Sequence, residues 1–174
     1  MDEELLSRQQ PQSLEAEQAV LGSILIDSRC ITDVVGIVKP EDFYLQQNRE
    51  IYEAIYTMFN FSQTIDPVTV LDKLKELGYY HDNSRDYILQ LMEITPTAAN
   101  VARYAAIVQE KSMLRGLNQA ATDIQQMVSE EVGTPAEMLE SAEKKIYALR
   151  KGERGDSLEH IGTTLHKVFD RLTE

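Results

Sequence analysis

Apolar positions recur at helical spacing along nearly the whole chain, and the longest such stretch runs from Thr97 to Arg150. Met113, Leu114, Leu117, Ala121, Ile124, Met127 and Val128 place an apolar residue on one face at every turn. The steps from Leu114 through Leu117, Ala121 and Ile124 to Val128 alternate three and four, the seam of one helix packed along another. Gly133 reads as a helix stop. Thr134-Pro135-Ala136-Glu137 then reads as a capping box, with Pro135 at the first helical position and Glu137 reaching back to the Thr134 amide. A second helix repeats the seam with Leu139, Ala142, Ile146 and Leu149. Two seamed helices joined by a short turn predict an antiparallel helical hairpin. If its first arm starts at Ala98, capped by Thr97, and runs to Ser129, it is about 48 Å long at roughly 1.5 Å per residue. Such a hairpin projects from a small domain. For any one seam residue, packing inside a single bundle is the simpler alternative.

Before the hairpin the same logic predicts a helical head. Ser13 is a good N-cap, Glu15 and Glu17 complement the dipole of the following turns, and Leu14, Val20, Leu21, Ile24 and Leu25 supply a buried face. Gly22 inside that helix points to the close approach of a neighbouring helix. Ile31–Val38 suits either a helical turn or an extended piece. Pro40-Glu41-Asp42-Phe43-Tyr44 reads as a turn with an aromatic anchor. An amphipathic helix from Gln46 to Phe61 turns Ile51, Ile55, Met58 and Phe59 inward. Asp66-Pro67 opens another, with Val70, Leu71, Leu74 and Leu77 buried and Gly78 closing it. Asn83 or Ser84 caps a shorter helix bearing Tyr87, Ile88, Leu91 and Met92, and Pro96 ends it.

After Arg150 the pattern breaks. Lys151-Gly152-Glu153-Arg154-Gly155 reads as a flexible linker, and Asp156 caps a last helix. Its stripe of Leu158, Ile161, Leu165, Val168, Phe169 and Leu172 is a docking surface for another body, or else folds back. The expected architecture is all-α, a compact multi-helix head with a long antiparallel hairpin and a trailing amphipathic linker helix. Its parts are a tail (1–12), the head (13–97), the hairpin (98–150), a flexible linker (151–156) and the linker helix (157–174). The last helix meets no stop signal at Glu174, so the segment is expected to belong to something longer.

Composition narrows the function. The chain has 43% apolar and 26% charged residues, enough material for a core. Its formal charge of −12 is uneven. Residues 1–110 hold 8 basic against 18 acidic side chains, a net of −10, and residues 111–174 hold 9 against 11. An acidic head repels phosphate backbones and suits a basic partner surface. The single cysteine, Cys30, has no internal disulfide partner and is expected to be a small buried thiol in a reducing compartment. With neither a long apolar run nor a signal-peptide pattern, the chain is expected to be cytoplasmic and to have no membrane partner.

No catalytic chemistry presents itself. There is no Gly-x-x-x-x-Gly-Lys-Ser/Thr loop to cradle phosphates, and Gly162-Thr163-Thr164 lacks its first glycine. His81, His160 and His166 have no second ligand at a metal-binding spacing. Cys30 has no nucleophile motif around it. Glu15 and Glu17 do not share a helical face and make a poor carboxylate pair. No catalytic, cofactor-binding or metal-binding residue is therefore expected in this segment.

Three stretches carry a resemblance. Pro11-Gln12-Ser13-Leu14-Glu15-Ala16-Glu17-Gln18-Ala19-Val20-Leu21-Gly22 resembles the opening signature of the bacterial replicative DNA helicase of the DnaB type. Pro40-Glu41-Asp42-Phe43-Tyr44 resembles its second marker. The third is similar to Pro96-Thr97-Ala98-Ala99-Asn100-Val101, then Tyr104-Ala105 and Ile107-Val108-Gln109-Glu110-Lys111-Ser112-Met113-Leu114-Arg115. The order and spacing match, and the similarity runs from about residue 8 to the end. One departure is that Asn83-Ser84-Arg85-Asp86 stands where the family often has a Gly-Gly pair.

The resemblance implies a parent protein that is a hexameric, ATP-driven helicase acting at the replication fork. ATP and Mg would bind a RecA-like motor domain outside this segment. The segment itself would be the N-terminal collar and linker. Its hairpin would pair subunits into dimers, three of which build a ring, and the linker helix would dock on a neighbouring motor domain. The collar would bind the C-terminal domain of primase, with Tyr87, Asn118 and Ile124 at positions the family uses for that contact, though relatives carry apolar residues where Asn118 stands. Ile124 also belongs to the seam, and Tyr87 could instead cover Leu91 with its hydroxyl in water. A helicase loader is a further candidate partner. Single-stranded DNA would pass through the parent ring with weak or no binding by this segment. Two alternatives stand beside this reading: the helicase-binding domain of primase, and a stand-alone all-helical enzyme with scattered carboxylates.

Overall fold

The computed structural model describes residues 10–153, and every regular element among them is helical. The order is α1 (Leu14–Ile26), 3₁₀ turns at Ser28–Asp33 and Pro40–Asp42, α2 (Gln46–Asn60), α3 (Pro67–Leu77), α4 (Ser84–Glu93), α5 (Val101–Ser129) and α6 (Pro135–Glu153). Two compact units divide the chain, one ending at Arg115 and the other beginning at Gly116. The stripe from Leu158 to Leu172 and most of the expected tail lie outside the described residues.

In the first unit one core joins α1 to α4 and the start of α5. Val20, Leu21 and Ile24 meet Phe43, Ile51, Tyr52, Ile55, Met58, Val70, Leu74, Ile88 and Leu91, with Val101, Ala105 and Val108 from α5. Each buried Val, Leu, Ile, Met or Phe among them contributes roughly 1.5–3 kcal/mol on leaving water. Phe43 stacks on Tyr52 at 4.7 Å between centroids, and the Tyr52 hydroxyl donates to the Val38 carbonyl at 2.8 Å. Gly22 has the reason expected of it. A Cβ there would overlap Thr95 Oγ1 and come within 2.5 Å of the Leu91 carbonyl oxygen, so α1 crosses the end of α4 in direct backbone contact. Leu14 departs from expectation: it is 38% exposed rather than part of the buried face. The stretch Ile31–Val38 resolves as 3₁₀ and turn, with Ile31, Val34 and Val38 buried.

Helix ends follow local chemistry, with corrections. Ser13 Oγ accepts from Ala16 N, and Asp66 and Thr69 form a reciprocal capping box before Pro67. Gly78 ends α3 in the left-handed region, φ 77°, with Tyr79 N bonded to the Leu74 carbonyl. The first hairpin arm opens at Val101 rather than Ala98. Thr97 Oγ1 accepts from Ala99 N, and residues 98–100 form a bend and turn ahead of Val101. Nor does Gly133 stop that arm. Glu131 takes the left-handed position, φ 50°, while Val132 N bonds to Met127 O and Glu131 N to Val128 O. Gly133, at φ 82°, instead shapes the turn into the next helix. Ahead of α4, His81 N donates to Ser84 Oγ at 2.8 Å and Ser84 N to His81 O at 3.0 Å. The serine side chain closes that turn.

In the second unit the remainder of α5 runs antiparallel to α6. Asp123 Oδ2 stands 3.5 Å from Lys145 Nζ, and a Cβ on Gly116 would lie 2.5 Å from Leu149 Cδ2. The Thr134 capping box forms as the sequence implies. Thr134 N donates to Glu137 Oε2 at 2.9 Å, and Glu137 N donates to Thr134 Oγ1 at 3.3 Å.

Candidate functional site

The three signature stretches converge at one junction in the first unit. Glu17 of α1 is buried, in register with Val20, Leu21 and Ile24. Its carboxylate accepts from Tyr44 N at 2.5 Å, Leu45 N at 3.4 Å and Asn48 Nδ2 at 2.8 Å. Leu45 is the N-cap of α2 and offers no capping side chain, so Glu17 caps a helix other than its own. Beside it, Arg115 donates to the Pro11 carbonyl at 2.7 Å and to the Asp42 carbonyl at 2.6 Å. The Arg115 guanidinium also lies over the Tyr44 ring, 5.4 Å from its centroid. Ser112 Oγ donates to Asp42 Oδ1 at 2.7 Å, and Asp42 Oδ2 accepts from Lys39 N. Residues of all three markers thus tie the first unit together where α5 ends its passage through it.

Tyr87 sits at the edge of this network, on α4, with its ring half-buried. Its hydroxyl donates to Asn48 Oδ1 at 2.5 Å and accepts from Gln18 Nε2 at 3.4 Å. Burial pushes its phenol up from the ordinary value, so it stays a protonated donor at neutral pH. The hydroxyl is thus bonded to protein groups rather than left in water. A groove of about 370 Å³ lies nearby in the same unit, lined by Ser13, Gln18, Ile94, Thr97, Tyr104 and Ile107 among others.

The second unit holds the other candidates. Asn118 is exposed, and Ile124 is half-buried. Tyr87 therefore belongs to one unit, and Asn118 and Ile124 to the other. Among the seam residues of this unit, Leu117, Ala121, Val128, Leu139 and Ile146 are exposed, while Ile124, Ala142 and Leu149 are half-buried. Leu114, in the first unit, is exposed. Leu139 is 66% exposed and Tyr147 68%, high values for large side chains on regular helices. Ile124, Met127, Val128, Met138, Leu139 and Ala142 line an open groove of about 650 Å³ near the hairpin turn.

Among the described residues no three His, Cys, Asp or Glu side chains come together as a metal site. His81 Nε2 pairs with Glu50 Oε2 at 3.1 Å on the surface. Cys30 is half-buried rather than fully so, and burial, then the Asp27 and Asp33 carboxylates, push its thiol up to about 11. No helix among the described residues is long and apolar enough to cross a membrane.

The profile of the family described as "DnaB-like helicase N terminal domain" matches residues 9–110. The chain belongs to that family. Among its relatives, "Replicative DNA helicase DnaB" of Leifsonia xyli subsp. xyli is 36% identical over 82% of this chain and 31% of its own length. "Replicative DNA helicase DnaB" of Geobacillus stearothermophilus is 33% identical over 99% of this chain and 38% of its own length. The chain thus spans about a third of the length of the curated relatives it matches. The crystal structure of the N-terminal domain of DnaB helicase from Mycobacterium tuberculosis matches with a TM-score of 0.76 at 36% identity, over 80% of this chain and 99% of that one. The DnaB-like resemblance and the all-α fold read from the sequence are thereby established.

Several residues of this DnaB-like domain escaped the sequence reading. By sequence Glu17 complements its own helix dipole, and its place in the α1 apolar register is the signal of a buried role. Asn48 carries no pattern of its own, whereas Gly116, a glycine inside α5, carries the same signal of close approach as Gly22. Arg115 lies in the third marker, but its partners at Pro11 and Asp42 are distant in sequence.

Proposed function

We propose that this domain is the assembly and primase-binding collar of a hexameric replicative helicase, working through its exposed hairpin. The observation that carries this is the apolar surface on two paired helices: Leu117, Val128, Leu139 and Ile146 face solvent in a single copy. Exposed apolar faces of this kind mark interaction sites. In this reading a hairpin pairs with that of a second copy, and dimers build the ring. The parts are the head (13–97) and the hairpin of α5 (Val101–Ser129) and α6 (Pro135–Glu153), which stays helical through the expected linker residues 151–153, with a linker and docking segment after Glu153. Leu158, Ile161, Leu165, Val168, Phe169 and Leu172 would dock on a neighbouring motor domain. That motor domain would bind ATP and Mg and drive unwinding in the cytoplasm; this chain supplies no phosphate-binding loop.

The primase contact would use Tyr87, Ile124 and Asn118. The acidic head, with its net of −10 over residues 1–110, favours a basic partner, and a half-buried tyrosine on that head is a residue type enriched at hot spots. Titrating the cognate primase C-terminal domain into the chain tests it. Tyr87→Ala and Ile124→Ala are expected to weaken binding by at least about 1 kcal/mol each. Parent-like binding by both folded variants would place the contact elsewhere. A helicase loader is a further candidate partner.

A further inference from the structure

Tyr87 is tethered from behind. A tyrosine that contacts a partner with its ring usually leaves its hydroxyl for the partner or for water. Here the hydroxyl is taken by Asn48 at 2.5 Å and by Gln18 at 3.4 Å, and the ring is half-buried. Asn48 is itself fully buried and has no freedom of role. Its Nδ2 donates to the Glu17 carboxylate at 2.8 Å, so its Oδ1 must face the tyrosine as the acceptor. Glu17 is held in turn by the backbone amides of Tyr44 and Leu45 at the start of α2. Each link leaves the next one orientation, and the chain of bonds ends on a half-buried tyrosine.

We propose that Asn48, fixed by Glu17, is a positioning residue that holds the Tyr87 ring in its partner-binding orientation before the partner arrives. The proposal rests on Tyr87 being a primase contact, as put forward above. It adds that affinity depends on a residue buried behind the interface. A ring already fixed loses no rotamer freedom on binding, and releasing it costs about two- to tenfold in affinity. The tether also gives the hydroxyl a role distinct from that of the ring. Loss of the hydroxyl alone, with the ring kept, should therefore be felt by a partner that never touches it.

The test is a double-mutant cycle read on the primase C-terminal domain. Tyr87→Phe and Asn48→Ala should each weaken binding by about two- to tenfold, and the double variant should bind no worse than the weaker single. Parent-like binding by Tyr87→Phe overturns the proposal. So does a loss confined to Tyr87→Phe, because the hydroxyl would then act on the partner directly. Stability is measured alongside: variants that are less stable yet bind as the parent does reveal a purely structural network, which also overturns it. Ring order at position 87, from NMR relaxation of the free chain, provides a second readout that needs neither primase nor the Asn48 variant. The ring should be ordered in the parent and more mobile in Tyr87→Phe, and equal order in both overturns the tether. If the parent chain itself fails to bind primase, the primase reading falls, and ring order still decides the tether.

Discussion

Glu17 Oε1 accepts the backbone amide of Tyr44 at 2.5 Å, linking α1 to the start of α2 across 27 residues of sequence. The same carboxylate takes the Asn48 side chain. Glu17→Ala would strand at least two donors in the protein interior, and an unsatisfied buried group costs about 1–3 kcal/mol. Denaturant unfolding should therefore show Glu17→Ala about 3 kcal/mol less stable than the parent. Glu17→Gln, which keeps one acceptor oxygen, should lose less. Equal stability of Glu17→Ala and the parent would contradict the cap.

Gly22 allows α1 to touch the end of α4. Gly22→Ala forces the Cβ against Thr95 Oγ1 and the Leu91 carbonyl, and overpacking of this kind costs about 1–3 kcal/mol. Adding Thr95→Ala should recover only part of the loss, because the Leu91 carbonyl is backbone and stays. Full recovery in thermal melts would mean the helices separate freely.

Two helices end on left-handed residues that are not glycine, Ser62 at φ 53° and Glu131 at φ 50°. Each sits where Gly78 closes α3, with the same pair of amide-to-carbonyl bonds around it. A side chain in that region costs roughly 1 kcal/mol. Ser62→Gly and Glu131→Gly should each raise stability by about 0.5–1 kcal/mol, after the entropy glycine adds to the unfolded chain. A lower melting temperature for both would argue against these helix ends.

The Cys30 thiol, pushed up to about 11 by burial and by Asp27 and Asp33, should resist alkylation. Against an ordinary value of 9.0, its thiolate fraction at pH 8 falls roughly 100-fold, and iodoacetamide labelling should slow accordingly. The folded chain holds this proton more tightly than the unfolded one. Its contribution to stability is therefore fully present below pH 9.0 and is lost as pH rises through about 11. Labelling as fast in the folded chain as in urea would refute the shift.

Leu139 is 66% exposed on α6, so a charge there should leave the hairpin folded. Leu139→Glu is expected to lower the association state in sedimentation while circular dichroism stays unchanged. A parent chain that sediments as a strict monomer at high concentration would remove the pairing argument.

Periodicity and local chemistry alone determined most of the elements. The capping box at Thr134 and Glu137, the Asp66-Pro67 opening and the Gly78 end rest on contacts within a few residues, and the inward faces of α2 and α3 show as apolar periodicity, both of which a sequence displays directly. The close approach at Gly22 was legible for a related reason: a glycine inside a helix has few uses. Tertiary structure alone decided the roles of Glu17, Asn48 and Arg115. Their partners lie far along the chain, and a buried carboxylate or amide looks like a solvated one until its neighbours are in place. It also decided which seam residues face outward, since an apolar stripe has the same spacing whether it closes a hairpin or waits for a partner. The helix stop moved from Gly133 to Glu131 because the bonds that end a helix depend on where its last carbonyls point, and a glycine two residues on does not change that.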